Sequence, residues 1–238
     1  VSLADKIDNL VATFSRGLIP TGSQDPFALR RQALGIVNML NEAQYHISLR
    51  GLVAKSMELL KLEAGEAQAK MQSDVADFMK LRLKNVLADA GIRYDVVDAV
   101  FVDIDDIYGV SLRAAAVNEA VQQDMEKTIQ AFVRTGNIAR KAEAAAAVDE
   151  AVLAEQVEKE LYGAYQAAAE KAASQLAAQD YAAAIASLSA LATPIDAFFD
   201  GVMVMDKDEK VKNNRLGLLK LIDALVCKIA DFSKIVLA

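Results

Sequence analysis

Apolar side chains recur every three or four residues along most of this chain, which is the period of one face of an α-helix. The first such stripe lies between residues 3 and 14 and consists of Leu3, Ile7, Leu10, Val11 and Phe14. Similar stripes predict further helices over residues 47–62, 67–90, 94–101, 110–133 and 213–236. Because this period dominates from end to end, the sequence predicts an all-α fold.

Capping and turn residues predict where several helices begin and end. Asp25 directly before Pro26 predicts an N-cap followed by proline at the first helical position. Gly91 is a plausible left-handed C-cap after the helix over 67–90. Thr135, Gly136 and Asn137 predict a break between two helices.

The helical pattern resets at residues 63–66, which read EAGE. This reset predicts two domains, residues 1–62 and residues 63–238. Residues 142–178 are rich in alanine, which has a strong helix propensity and little bulk. Such a stretch forms either thin helices that pack closely or a partly exposed connecting arm.

Charge is spread unevenly over the 238 residues, whose formal net charge is −7. Residues 1–62 carry seven Lys and Arg against five Asp and Glu, a net charge of +2. Residues 63–238 carry 19 against 28, a net charge of −9. An acidic domain is a poor electrostatic match for RNA, so any RNA contact must come from local basic faces.

Composition also predicts the environment of the chain. The longest apolar runs are interrupted by charged residues, so no membrane-spanning segment is expected. The single cysteine, Cys227, lies among apolar neighbours and predicts an inert buried thiol in a reducing cytoplasm. The chain starts at Val1, inside a helical pattern and without a signal peptide, and we expect it to be part of a longer protein.

The sequence lacks the common motifs of catalytic sites. His46 is the only histidine, so neither a histidine-based triad nor a metal site of several histidines is expected. No glycine-rich phosphate loop is present. The acidic pairs Asp105/Asp106 and Asp206/Asp208 precede helices and predict helix caps. We therefore expect no catalytic residue, no metal and no cofactor in this chain.

Two segments are distinctive enough to suggest a family. Residues 20–31 read PTGSQDPFALRR, and residues 198–205 read FFDGVMVM, followed by KNNRL at 212–216. Together they resemble the C-terminal part of the bacterial glycyl-tRNA synthetase beta subunit. The resemblance implies the end of an HD-like helical domain followed by a DALR-like anticodon-binding bundle.

Further segments are similar to the DALR-type domain that is shared with arginyl-tRNA synthetases. They are residues 78–83 (FMKLRL), 94–100 (YDVVDAV) and 113–116 (RAAA). The family has Lys-Arg shortly before Asn-Ile, whereas residues 132–140 here read FVRTGNIAR. One basic residue of the family pattern is therefore absent, while Asn137 and Ile138 are retained.

This resemblance implies a role in binding tRNA-Gly rather than in chemistry. Its partners would be tRNA-Gly, the synthetase alpha subunit and the rest of the beta subunit, with neither DNA nor a membrane. Glycine activation with ATP and Mg²⁺ would belong to the holoenzyme through the alpha subunit. The alternative is a helical scaffold that joins subunits and does not bind RNA. An HD phosphohydrolase is disfavoured because the required histidines are missing.

Anticodon bases are read by stacking and by hydrogen bonds to their edges, so long donors near helix ends are the candidates. The candidate RNA-binding residues are Lys80, Arg82, Lys84, Arg113, Arg134, Asn137, Arg140 and Lys141. We expect Lys80 and Lys84 to contact phosphates. We expect Asn137 and Arg140, beside the predicted helix break, to read bases.

Structural roles remain open for some of these cations. Arg82 and Arg113 either contact RNA or pair with Asp95 or Asp98 inside the bundle. Arg215 follows the acidic segment 206–209, and we expect it to lock that turn rather than to touch RNA.

Overall fold

A computed structural model describes residues 1–123, 125–140 and 147–236, and it confirms the predicted all-α fold. Two compact units divide the chain, the first comprising residues 1–93 and 103–112 and the second residues 94–102 and 113–238. The helices of the first unit are α1 (Ser2–Phe14), α2 (Leu29–Glu42), α3 (Leu49–Leu59) and α4 (Glu66–Asp89).

The second unit contains most of the remaining helices. They are α5 (Tyr94–Val100), α7 (Glu126–Ala139), α8 (Gln156–Ala177), α9 (Tyr181–Ser189), α10 (Ala192–Gly201) and α11 (Glu209–Val226). Helix α6 (Ile107–Gln122) begins in the first unit and ends in the second. Short 3-10 helices lie at Glu150–Val152 and Phe232–Lys234.

The core of the first unit forms around α1, against which α2, α3 and α4 pack. The predicted stripe of α1 is correct for Ile7, Leu10, Val11 and Phe14, which are all buried. Phe14 meets the ring of Phe78 on α4 edge to face, with 5.3 Å between the ring centroids. The sequence places a domain boundary before α4, whereas in the structure α4 packs with the three helices that precede it.

Asp25 caps α2, but the helix starts later than predicted. Its carboxylate accepts hydrogen bonds from the backbone N–H groups of Leu29 at 2.8 Å and Arg30 at 3.0 Å. Ala28, at the N-cap position, has a left-handed backbone with φ of 54°. Pro26 is therefore not the first helical residue, because residues 25–28 form a turn that folds the carboxylate back over the helix start.

Two other boundaries test the capping predictions. Gly91 has a φ of +81° directly after α4, which confirms the predicted left-handed C-cap. The single helix predicted over 110–133 is wrong, since α6 ends at Gln122 and α7 begins at Glu126. The apolar period of the two helices is continuous in sequence, so periodicity alone does not reveal the interruption.

The core of the second unit is built by α7 against α11, and by α8 against α9 and α10. Ala168 and Ala172 of α8 are buried, so alanine here serves close helix packing. Among the two alternatives for the alanine-rich stretch, the described part from residue 147 onwards fits the packed helix. Residues 142–146 of that stretch lie outside the described part of the chain.

One stretch within the described residues is long and apolar enough to cross a membrane by length and composition alone. It is Tyr181–Gly201, with a mean hydropathy of 1.5. Core helices pass the same test, and this stretch is divided into α9 and α10 with Leu188 and Phe198 buried in the unit. It is weak evidence for a membrane, and the absence of a membrane partner stays a prediction.

Candidate RNA interface

Helix α7 runs without interruption through the predicted break at residues 135–137, so that prediction is wrong. Thr135 is buried, and its hydroxyl donates to the carbonyl of Ala131 at 2.8 Å within the same helix. A β-carbon built on Gly136 would lie 2.8 Å from Oδ1 of Asp223 on α11. Glycine therefore leaves room for the Asp223 carboxylate beside α7, which is a packing role rather than a turn.

Arg134 and Asn137 lie one helical turn apart on α7, and both are exposed. The guanidinium carbon of Arg134 lies 4.1 Å from the ring centroid of Phe199 on α10. Phe199 in turn packs edge to face on the fully buried Phe198, with 5.5 Å between the ring centroids. The ring is thus anchored in the core, and it holds an exposed guanidinium by a cation–π contact.

Arg140, at the C-cap of α7, is committed to partners within the protein. Its Nη2 lies 3.2 Å from Oδ1 of Asp223 and 2.9 Å from Oδ1 of Asp231, and its Nη1 donates to the hydroxyl of Ser233 at 2.8 Å. Burial alone would lower the pKa of Arg140, but the hydrogen bonds and charges of Asp231 and Asp223 outweigh it and raise that pKa. The guanidinium predicted to read a base therefore ties α7 to α11 and to the C-terminal 3-10 helix.

The groups around Arg140 have pKa values that fit this arrangement. Burial would raise the pKa of Asp231, but hydrogen bonds from Ser233 and Arg140 outweigh it and hold that pKa below its usual value. Burial and the neighbouring Asp223 raise the pKa of the Cys227 thiol to about 11. Cys227 is only partly buried, yet its raised pKa supports the prediction of an unreactive thiol.

Arg113 lies inside the second unit rather than on its surface. Only 9% of the residue is exposed, and its Nη2 is 3.4 Å from the carbonyl oxygen of Val100. Its guanidinium carbon also lies 5.9 Å from the ring centroid of Tyr181. This burial supports the packing alternative for Arg113 over contact with RNA.

The basic segment of α4 lies in the first unit and has mixed surroundings. Arg82 packs on its own helix, with its guanidinium carbon 3.9 Å from the ring centroid of Phe78 and Nη1 donating to the Phe78 carbonyl at 2.9 Å. Lys80 is exposed and Lys84 is half-buried, and each has an interaction within the protein. Lys141, the remaining candidate, lies outside the residues that the structure describes.

Arg215 locks the acidic turn, as predicted. Its Nη1 donates to the Met203 carbonyl and to Oδ2 of Asp206, both at 2.9 Å, and its Nε donates to Oε1 of buried Glu158 at 2.6 Å. Asp208 confirms its predicted role by capping α11 through the N–H groups of Lys210 and Val211. In the described part of the chain, no cluster of three or more His, Cys, Asp or Glu side chains could hold a metal.

Phe199, which contacts Arg134, is not among the residues predicted from the sequence to bind RNA. Adjacent residues on a helix point about 100° apart, so with Phe198 fully buried the ring of Phe199 lies towards the edge of the core and is partly exposed. The second aromatic residue of such a pair is the available signal for a partly exposed ring. Its partner Arg134 comes from another helix, and only the fold brings the two together.

Two family models match separate parts of the chain. The model of the glycyl-tRNA synthetase beta subunit matches residues 1–102. The model of the DALR anticodon binding domain matches residues 128–232, which include Arg134, Asn137 and Phe199.

Comparisons with individual proteins over nearly the whole length of this chain agree with these matches. The chain is 41% identical to the glycine–tRNA ligase beta subunit of Desulforamulus reducens, over 99% of this chain and 34% of that protein. It is 38% identical to the beta subunit of Clostridioides difficile, with the same two coverages. It is 40% identical to the beta subunit of Geotalea uraniireducens, again over 99% and 34%.

Over nearly all of its length, the chain is similar to the C-terminal part of glycyl-tRNA synthetase beta subunits. It spans about a third of the length of the relatives it matches. The surface of α7 that carries Arg134 and Asn137 falls in the region matched by the DALR anticodon binding model.

Proposed function

We propose that this chain is the part of a glycine–tRNA ligase beta subunit that binds tRNA-Gly, and that its second unit contacts the anticodon loop. The observation that carries the proposal is the exposed guanidinium of Arg134, held over Phe199 without a carboxylate partner among the described residues. Unpaired bases of RNA loops stack on aromatic rings and on guanidinium planes. The guanidinium of Arg134 contacts the Phe199 ring, and the side chain remains exposed to solvent. A base could therefore stack on the guanidinium.

Asn137 adds the hydrogen-bonding part of the proposed interface. It is exposed one turn after Arg134 on the same face of α7. An amide presents a donor and an acceptor side by side, which suits the edge of an unpaired base. Stacking by Arg134 and edge contact by Asn137 would together read one base of the loop.

The other candidates support this face in different ways. Arg140 and Arg113 stabilise the second unit through their contacts with Asp231 and Val100. Lys80 and Lys84, on the first unit, would attract the phosphate backbone of the tRNA through their positive charges. The activation of glycine with ATP and Mg²⁺, the alpha subunit as partner, and a cytoplasmic location all belong to the same proposal for the complete enzyme.

The test compares binding of tRNA-Gly with binding of a tRNA-Gly transcript whose anticodon has been changed. We expect the full-length subunit to prefer the matched anticodon, and Asn137→Ala to reduce that preference by about 1–3 kcal/mol. Arg134→Ala should weaken binding by about 1–3 kcal/mol, the cost of one lost base stack. Ser174→Ala, a change at an exposed hydroxyl on α8, is the control and should leave both values unchanged.

Equal binding of matched and mismatched transcripts by the wild-type subunit would contradict anticodon reading. Absence of tRNA binding, together with normal subunit assembly, would instead support the alternative of a helical scaffold.

A further inference from the structure

The first unit has a basic groove that the second unit's interface does not use. It lies between α2 and α4 and has a volume of about 550 Å³. Its cationic members are Arg30 and Arg31 from α2 and Arg82 from α4. Arg30 and Arg31 end the distinctive segment 20–31.

Two cations of this groove, Arg30 and Arg82, are held in place by neutral groups. Nη2 of Arg30 donates to the carbonyl oxygen of Gly22 at 2.6 Å. Arg82 donates to the Phe78 carbonyl and lies over the Phe78 ring. Hydrogen bonds to carbonyls and contact with a ring orient a guanidinium but leave its positive charge uncompensated.

The nearby carboxylates offset this charge only in part. Asp25 lies near Arg82, but its two oxygens accept the backbone N–H groups of Leu29 and Arg30. Asp89 lines the groove and is exposed. Burial and the positive charge of Arg30 together lower the pKa of Arg82 below its usual value. Arg30 and Arg82 therefore repel each other, and an anion between them would relieve that repulsion.

The remaining lining suits a nucleic-acid backbone. Leu34 is 39% exposed and Leu81 is 55% exposed, and Asn85 offers an amide beside them. A guanidinium presents paired N–H donors that match the geometry of a phosphate. Exposed aliphatic side chains between such cations can pack against sugar and base surfaces. The first unit as a whole carries 12 Lys and Arg against 13 Asp and Glu, so this positive charge is local.

We propose that the groove formed by Arg30, Arg31 and Arg82 binds backbone phosphates of the tRNA, as a contact separate from the anticodon-reading face. This inference rests on the proposed function, because the RNA is the tRNA bound by the second unit. It assigns Arg31, which is exposed and has no ion pair among the described residues, to direct phosphate contact.

The experiment measures tRNA-Gly affinity of the full-length subunit over a series of salt concentrations. Each phosphate contact that is lost should reduce the slope of log affinity against log salt by roughly one. We expect this reduction for Arg31→Gln and for Arg82→Gln, with the preference for the matched anticodon unchanged. Arg31→Lys keeps the charge and should restore most of the slope.

The matched control is Arg16→Gln, since Arg16 is an exposed arginine of the same unit that does not line the groove. Its slope should equal that of the wild type. Circular dichroism and thermal unfolding of each variant separate lost contact from lost folding, which matters for Arg82 because its side chain packs on Phe78.

Slopes for Arg31→Gln and Arg82→Gln that equal the Arg16→Gln slope would overturn the inference. If Arg134→Ala still weakened binding in that case, the proposed function would stand without the groove. A polyglutamate peptide that binds the wild type and is released by Arg31→Gln, with tRNA affinity unchanged, would assign the groove to an acidic protein segment and also overturn the inference. A wild-type subunit that does not bind tRNA-Gly would remove the proposed function and this inference together.

Discussion

Arg140 and Asp231, 91 positions apart in the chain, form an ion pair with 2.9 Å between Nη2 and Oδ1. The pair ties the C-terminal end of α7 to the segment that follows α11. It supports a structural role for Arg140, because the guanidinium is shared by Asp231 and Asp223. Arg134, six residues earlier on α7, is exposed, and its contact among the described residues is with the ring of Phe199.

Arg140→Ala should therefore affect stability more than recognition. Losing charge-assisted hydrogen bonds to two carboxylates should lower the free energy of unfolding by about 1–3 kcal/mol. Preference for the matched anticodon should not change. Urea unfolding and tRNA titration of the same variant check both values, with Arg134→Ala as the variant that should weaken tRNA binding more than it lowers stability. Loss of anticodon preference in a stably folded Arg140→Ala protein would restore Arg140 as a base reader.

The effect of Gly136→Ala on the free energy of unfolding should change sign when Asp223 is removed. In an open helix, Gly→Ala stabilises by about 1 kcal/mol. Here the new methyl group would meet Oδ1 of Asp223 at 2.8 Å and push it away from Arg140, so we expect net destabilisation. In an Asp223→Ala background the same change should become stabilising. Chemical unfolding of the four proteins in this cycle measures the reversal, and a stabilising Gly136→Ala in the wild type would contradict the close packing.

Replacing only one member of the buried ion pair between Arg215 and Glu158 should strongly destabilise the fold. The side chains are 6% and 1% exposed, so removing Arg215 leaves a buried carboxylate without its partner. Arg215→Met should lower the free energy of unfolding by about 3–5 kcal/mol. Adding Glu158→Gln should recover part of the loss, because the amide is neutral and can still accept the N–H of Glu155. A double variant less stable than Arg215→Met alone would show that the carboxylate has other essential partners.

Stability should fall in acid through Asp231. Its folded-state pKa is held below the unfolded value, which is about 3.9 for aspartate. The native state therefore binds fewer protons than the unfolded state, and the stabilisation is complete above the unfolded pKa. It is lost as the pH falls through the folded pKa. Urea unfolding at a series of pH values from neutral to acidic should show a smaller acid loss for Asp231→Asn. An unchanged pH profile in that variant would assign the acid loss to other carboxylates.

Several features follow from the sequence because their causes are local. The stripe of α1, the cap by Asp208 and the left-handed Gly91 each depend on residues within a few positions of one another. Helical periodicity and capping act over one or two turns, so the all-α fold could be predicted from the order of residues alone. Arg215 was predicted correctly for the same reason, since Asp206 lies only nine residues away.

The tertiary structure decided the features whose partners are distant in sequence. Gly136 is typical of a helix break, yet it lies inside α7, where the Asp223 carboxylate of α11 occupies the space beside it. Arg140 pairs with Asp231, and Arg134 contacts Phe199. Helix α4 packs with the first three helices. Local sequence patterns indicate which residues can form a helix or donate a hydrogen bond. Which helix face meets which neighbour depends on packing across many residues, and that packing separates the cations that stabilise the fold from those that remain exposed to solvent.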